Sequence, residues 1–185
     1  MLFHKEKQIA MVLNPKTGST AARAFLVDLG MKHVPTNDND HIIARVHLTP
    51  DVAFAKYPNL TTYKTYGFFR NPLDRFMSGI RNILENVEDK DFDKLFDPNY
   101  FPHTLFRPQI DWLDYPSITT LDYANYKAEM QKFGGLLGKP DSAPLKVNMT
   151  VAVNRREVTP EIEAFVREKY AADYQFAKDV LGKEY

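Results

Sequence analysis

The sequence predicts an α/β fold with a central, mostly parallel sheet flanked by helices. Three observations lead there. Short apolar runs bounded by Pro or Gly alternate with longer amphipathic runs, as strands alternate with helices in such folds. The runs "QIAMVLN" and "TTYKTYGFFR" end at corners that lead straight into helix starts. No repeat, low-complexity tract or linker interrupts the alternation across the 185 residues, so one domain, 1–185, is expected.

"QIAMVLN" reads as a buried strand closed by Pro15 and Gly18. "STAARAFLVDLG" follows as a helix, capped by Ser19 or Thr20 and ended by Gly30. "PTNDNDH" is a polar loop. "LTPDVAFAKY" is a short helix with Thr49 as N-cap and Pro50 in its first turn. "TTYKTYGFFR" is a second core strand by its β-branched and aromatic content. "NPLDRFMSGIRNILENV" is a helix capped by Asn71, with Phe76, Ile80, Ile83, Leu84 and Val87 on one apolar face. The acidic, aromatic stretch 88–100 is a loop or irregular helix. "PQIDWLD" is a short helical piece and "SITTLDY" a third strand. "ANYKAEMQKFGGLLG" is a helix stopping at its glycines, and "KPDSAPLKVNMT" a loop. "TPEIEAFVREKYAADYQFAKDVLG" is one long helix or two in tandem, opened by Thr159 and Pro160.

Composition narrows the function. Apolar residues make up 44% and charged residues 26%, enough for a core and unlike a disordered chain. Lys plus Arg equals Asp plus Glu at 24 each, so the basic excess typical of a nucleic-acid binder is missing. Without cysteine there is no disulfide, thiol catalysis or thiolate metal site. No run is long and apolar enough for a membrane span, and no secretion signal is evident. A soluble, cytoplasmic protein acting without nucleic acid or membrane is expected.

Two corners carry anion-binding chemistry. In "NPKTGST", Gly18 lets the backbone approach a ligand, the next N–H groups open a helix, and Lys16 adds a mobile charge. Thr17, Ser19 and Thr20 add donors. Lysine precedes glycine here, the reverse of a Walker A loop. In "FFRNPLDRFMSGIRN", Arg70 ends a core strand, where α/β sheets bind ligands, and offers a rigid fork suited to phosphate. Arg75 and Arg81 read as surface residues of the following helix.

Together the corners resemble the sulfotransferases that use 3′-phosphoadenosine 5′-phosphosulfate (PAPS), most closely the carbohydrate-type branch. "PKTGST" resembles their 5′-phosphosulfate loop. "RNPLDRFMSGIRN" resembles their 3′-phosphate motif, Arg-x-Pro-x-x-Arg-x-x-Ser. "FRPQIDWL" is similar to the branch's Arg-Pro-Gln segment, and "VTPEIEAFVREKYAADYQFA" to its C-terminal helix with Tyr-x-x-Asp-Tyr. The resemblance implies a P-loop-like sandwich and sulfonate transfer from PAPS to an acceptor hydroxyl, on a carbohydrate or other small molecule. No metal is implied.

The resemblance also implies roles. Lys16 neutralises the leaving group. Thr17, Gly18, Ser19 and Thr20 hold the 5′-phosphate, and Arg70 and Ser78 the 3′-phosphate. His47, just before the "LTPDVAF" helix, stands where the family's histidine base often lies, with His41 as alternative base or acceptor contact. His103 meets the acceptor or packs. Arg155 and Arg156 touch the 3′-phosphate or adenine, or form a solvated basic pair. The aromatics of "NVEDKDFDKLFDPNYFPH" stack on the acceptor or simply pack. The chain is short for the branch and lacks its anchor and disulfides, which suggests a compact bacterial or viral version.

Two rival readings share these features. A nucleotide or small-molecule kinase of P-loop type needs a lysine after glycine and an acidic magnesium ligand. A non-catalytic module binding 3′-phosphoadenosine 5′-phosphate (PAP) has less need of Lys16.

Overall fold

A computed structural model describes residues 1–35, 46–83, 92–97, 99, 103–142 and 157–185. Strands β1 (Leu2–His4) and β2 (Ile9–Val12) form an antiparallel hairpin, pairing Leu2 with Met11 and His4 with Ile9. The turn between them places Gln8 at φ 51°. Helix α1 (Ser19–Asp28) leads to the two-residue edge strand β3 (Lys32–His33), antiparallel to β1. Helix α2 (Pro50–Lys56) and a 3-10 turn (Pro58–Thr62) precede β4 (Lys64–Phe69). Helix α3 (Pro72–Ile83), α4 (His103–Phe106) and α5 (Ile110–Leu113) come before β5 (Ile118–Asp122). Helix α6 (Tyr126–Leu136), α7 (Pro160–Lys169) and α8 (Ala171–Leu181) complete the described elements.

The sheet order is β3-β1-β2-β4-β5. β2, β4 and β5 run parallel, in registers Val12 with Gly67 and Gly67 with Thr120. The expected three strands are these three. β1 and β3 extend the sheet beyond β2 in the antiparallel sense. They are too short, at three and two residues, for a sequence period to show.

Both sheet faces are covered. Ile9 and Met11 pack with Ala22, Phe25 and Leu26 of α1 and Met130 and Phe133 of α6. Ala10 and Val12 turn the other way, onto Ala53 of α2, Trp112 and Leu113 of α5 and Ala177 of α8. This two-sided burial explains why β2 reads as a continuous apolar run. A third cluster joins Phe76 and Ile80 of α3 to Phe106, Ile162, Val166 and Tyr170. No helix among the described residues is long and apolar enough to cross a membrane.

Some local expectations change. Helix α6 runs through Gly134 and Gly135 and ends before Gly138, at φ 89°. Gly134 is inside because a Cβ there would lie 2.8 Å from the Lys139 carbonyl oxygen. The C-terminal helical run is two helices, broken at Tyr170. Asn71 caps α3 as expected, its Oδ1 accepting from Leu73 and Asp74 N–H.

Candidate active site

The carboxyl ends of β2 and β4 lie side by side because the strands are parallel neighbours. The loop after β2 turns sharply, with Lys16 at φ 63° and Gly18 at φ 74°. The Thr17 hydroxyl reaches inward, 2.9 Å from the Asn14 carbonyl oxygen and 3.0 Å from its Oδ1. It braces the loop against Asn14. The N-cap of α1 is Gly18, not Ser19 or Thr20, and no side chain caps the helix. The first intrahelical bond runs from Ala22 N–H to the Gly18 carbonyl. Among the described residues no group accepts from the earlier N–H groups, which stand at a positive helix end. Ser19 is buried and Thr20 exposed.

Gly18 is required twice. Its positive φ suits glycine. A Cβ would also lie 3.1 Å from ring carbons of both Tyr123 and Tyr126. Tyr126 hydroxyl donates to the Gly18 carbonyl at 3.3 Å.

Arg70 follows β4 directly. Its Nη1 donates to the Lys16 carbonyl at 3.0 Å, and its guanidinium lies 5.0 Å from the centre of the Tyr123 ring. The two corners thus meet. Arg75 is not on the surface as the helical pattern implies: it is 1% exposed. Its Nε donates to the Pro15 carbonyl at 3.0 Å and its Nη2 to the Leu105 carbonyl at 3.2 Å. Arg81 is half-buried and donates to Met77 carbonyl. Ser78 is half-buried, one turn after Arg75.

These cations strain one another. Burial first, then Arg70, Arg81 and Arg75, lower the Lys16 pKa to about 8. Burial lowers the Arg70 pKa too. Among the described residues, none of the four forms an ion pair with a carboxylate. Two buried donors here, Asn14 Nδ2 and Arg75 Nη1, have no hydrogen-bond partner among the described residues. A site with this surplus of donors and positive charge fits an anion.

His47 sits just before α2. Its Nδ1 is hydrogen-bonded to the Leu13 carbonyl, and Trp112 Nε1 donates to the His47 carbonyl at 2.9 Å. A carbonyl accepts only, so Nδ1 carries the proton and a neutral ring has its lone pair on Nε2. Burial is the main cause lowering the His47 pKa to about 4; the Leu13 bond opposes it, and the N-terminal ammonium, then Arg75 and Lys16, add to it. His47 therefore feels both the N-terminal ammonium and the cation cluster.

Other candidates fall elsewhere. His103 opens α4 and is influenced by Arg107, Asp111 and Asp97, not by Lys16. Phe92 and Phe96 pack in the core with Phe76, Phe106 and Phe165, so these two aromatics are structural. His41, Arg155 and Arg156 lie outside the described residues.

Two buried polar residues had no role in the sequence reading. Gln109 accepts from Arg70 N–H at 2.9 Å through Oε1 and donates to the Arg70 carbonyl at 2.7 Å through Nε2. Asp173 accepts from Gln109 N–H at 2.9 Å and Ile110 N–H at 3.1 Å. Both stand within the Arg-Pro-Gln and Tyr-x-x-Asp-Tyr stretches, and that was the only signal for them.

No protein family's sequence profile matches the chain. No curated protein matches it either. Among solved structures it is similar to the crystal structure of a sulfotransferase from Alicyclobacillus acidocaldarius. The two are 13% identical, the match covers 96% of each chain, and the TM-score is 0.53. Over nearly its whole length, this chain has the α/β fold of that sulfotransferase.

Proposed function

We propose that the protein is a PAPS-dependent sulfotransferase acting on a hydroxyl of a carbohydrate or other small molecule. One observation carries this reading: Lys16, Arg70 and Arg81 converge, with no carboxylate ion-paired to them among the described residues, where two parallel strands end at a helix N-terminus. The fold shared with a sulfotransferase supports it.

The N–H groups at the start of α1 and the Lys16 ammonium hold the 5′-phosphate, with Thr17, Gly18, Ser19 and Thr20 supplying the loop. Arg70 and Ser78 take the 3′-phosphate. The acceptor oxygen bonds to sulfur as the bond from sulfur to the bridging phosphate oxygen breaks. The electron pair stays on that oxygen, which Lys16 neutralises. The acceptor proton passes to His47 Nε2. The products are the sulfated acceptor and PAP. As in phosphoryl transfer, positioning and electrostatics carry most of the rate.

Calorimetric titration with PAP tests the site. The native chain should bind at micromolar or tighter concentration. Arg70→Ala should bind at least tenfold more weakly, about 1.4 kcal/mol. Absence of binding to the native chain sinks the proposal, and ATP with magnesium becomes the ligand to try. Transfer from labelled PAPS to a panel of acceptors then identifies the substrate.

A further inference from the structure

Arg70 stands at the point where β4 stops, and among the described residues no neighbouring strand pairs with it. The side-chain amide of Gln109 does so instead, bonding both its N–H and its carbonyl. Gln109 is 0% exposed and sits at the start of a four-residue helix, too short to be rigid by itself. What fixes it is Asp173, also 0% exposed, on α8. Its Oδ2 accepts from Gln109 N–H at 2.9 Å and lies 3.4 Å from Gln109 Nε2, while Oδ1 accepts from Ile110 N–H.

A carboxylate is costly to bury without charge nearby. Burial pushes the Asp173 pKa up; the field of Arg75, followed by the Gln109 and Ile110 hydrogen bonds, opposes this and favours the ionised form. Arg75 in turn grips the Pro15 carbonyl of the first loop. One buried acid and one buried base therefore stand behind the site, the base fastened to the Lys16 loop and the acid, through Gln109, to Arg70.

We infer that Asp173 is a positioning residue of the anion site, aiming Arg70 through Gln109. The inference rests on the proposed function for its ligand, but not for its geometry. A residue that merely stabilises the fold would lower binding whatever stands at position 70. Asp173 should lower it only while Arg70 is present.

The test is a double-mutant cycle. Asp173→Asn keeps the shape and removes the charge. It should weaken PAP binding about tenfold, the scale seen when a residue supporting a ligand-binding side chain is lost. In an Arg70→Ala background it should add nothing. Equal loss in both backgrounds overturns the inference. Gln109→Met, which removes the amide but not the bulk, serves if Asp173→Asn fails to fold, with the same two outcomes. Hydrogen exchange at the Arg70 amide separates this from the proposed function. If the native chain binds no PAP, the sulfotransferase reading falls. Faster exchange at Arg70 in either variant then still supports the positioning role, and unchanged exchange overturns it.

Discussion

The Arg75 guanidinium, which reads from the sequence as a surface group of an amphipathic helix, donates to the Pro15 carbonyl across 60 residues of chain. It is fastened also to Leu105, and lies 5.8 Å from the Tyr170 ring centre. Arg75→Met should leave the Pro15 and Leu105 carbonyls unpaired and Asp173 without its compensating charge. A loss of about 3 kcal/mol is expected, read from urea unfolding.

Lys16 should take up a proton when an anion arrives. Its pKa of about 8 leaves it about half protonated at pH 8. Bound PAP favours the charged form, so binding at pH 8 should take up about half a proton. Calorimetry in buffers of different ionisation enthalpy measures this. Lys16→Arg should abolish the uptake. The folded chain also binds fewer protons than the unfolded one between pH 8 and 10.5. Stability should therefore rise across that window, and the rise should vanish in the variant.

His47 should impose an acid limb near pH 4 on kcat/KM, well below an ordinary histidine. Removing the base, in His47→Asn, should cost about 10²–10⁴ in kcat while PAP still binds. The fold keeps His47 neutral where the unfolded chain protonates it. Its contribution to stability is thus lost as pH falls from 6.5 toward 4, a slope that should flatten in the variant.

Gly18→Ala should be destabilised by about 1–2 kcal/mol from the positive φ alone. The added methyl must also push back Tyr123 or Tyr126. Tyr123 lies against Arg70, so PAP affinity should fall as well. Thermal unfolding and titration report the two losses separately.

Much of this was legible because it follows from local chemistry. The buried run at β2, the Asn71 cap and Gly30, at φ 93°, ending α1 are all signalled within a few residues. The lysine, glycine and hydroxyls of the first loop and Arg70 at a strand end likewise announce an anion corner. Arg75 was misread because helical periodicity assigns long cations to the outer face. Here the partners are carbonyls of Pro15 and Leu105, which no pattern in 72–83 encodes. Gln109 and Asp173 were missed for the same reason: their meaning lies in contacts across 39 and 64 residues.

The Gln109–Asp173 contact bears on how the protein comes to life during synthesis. A growing chain has made Lys16, Arg70 and Arg81 long before α8 exists. Until residue 173 emerges, the Gln109 N–H has no carboxylate to receive it. Translation therefore makes the cations of the site first and supplies the carboxylate that aims Arg70 only with α8. A ribosome-stalled chain ending before residue 173 should attract polyanions without discrimination, and selectivity for one anion should arrive with α8.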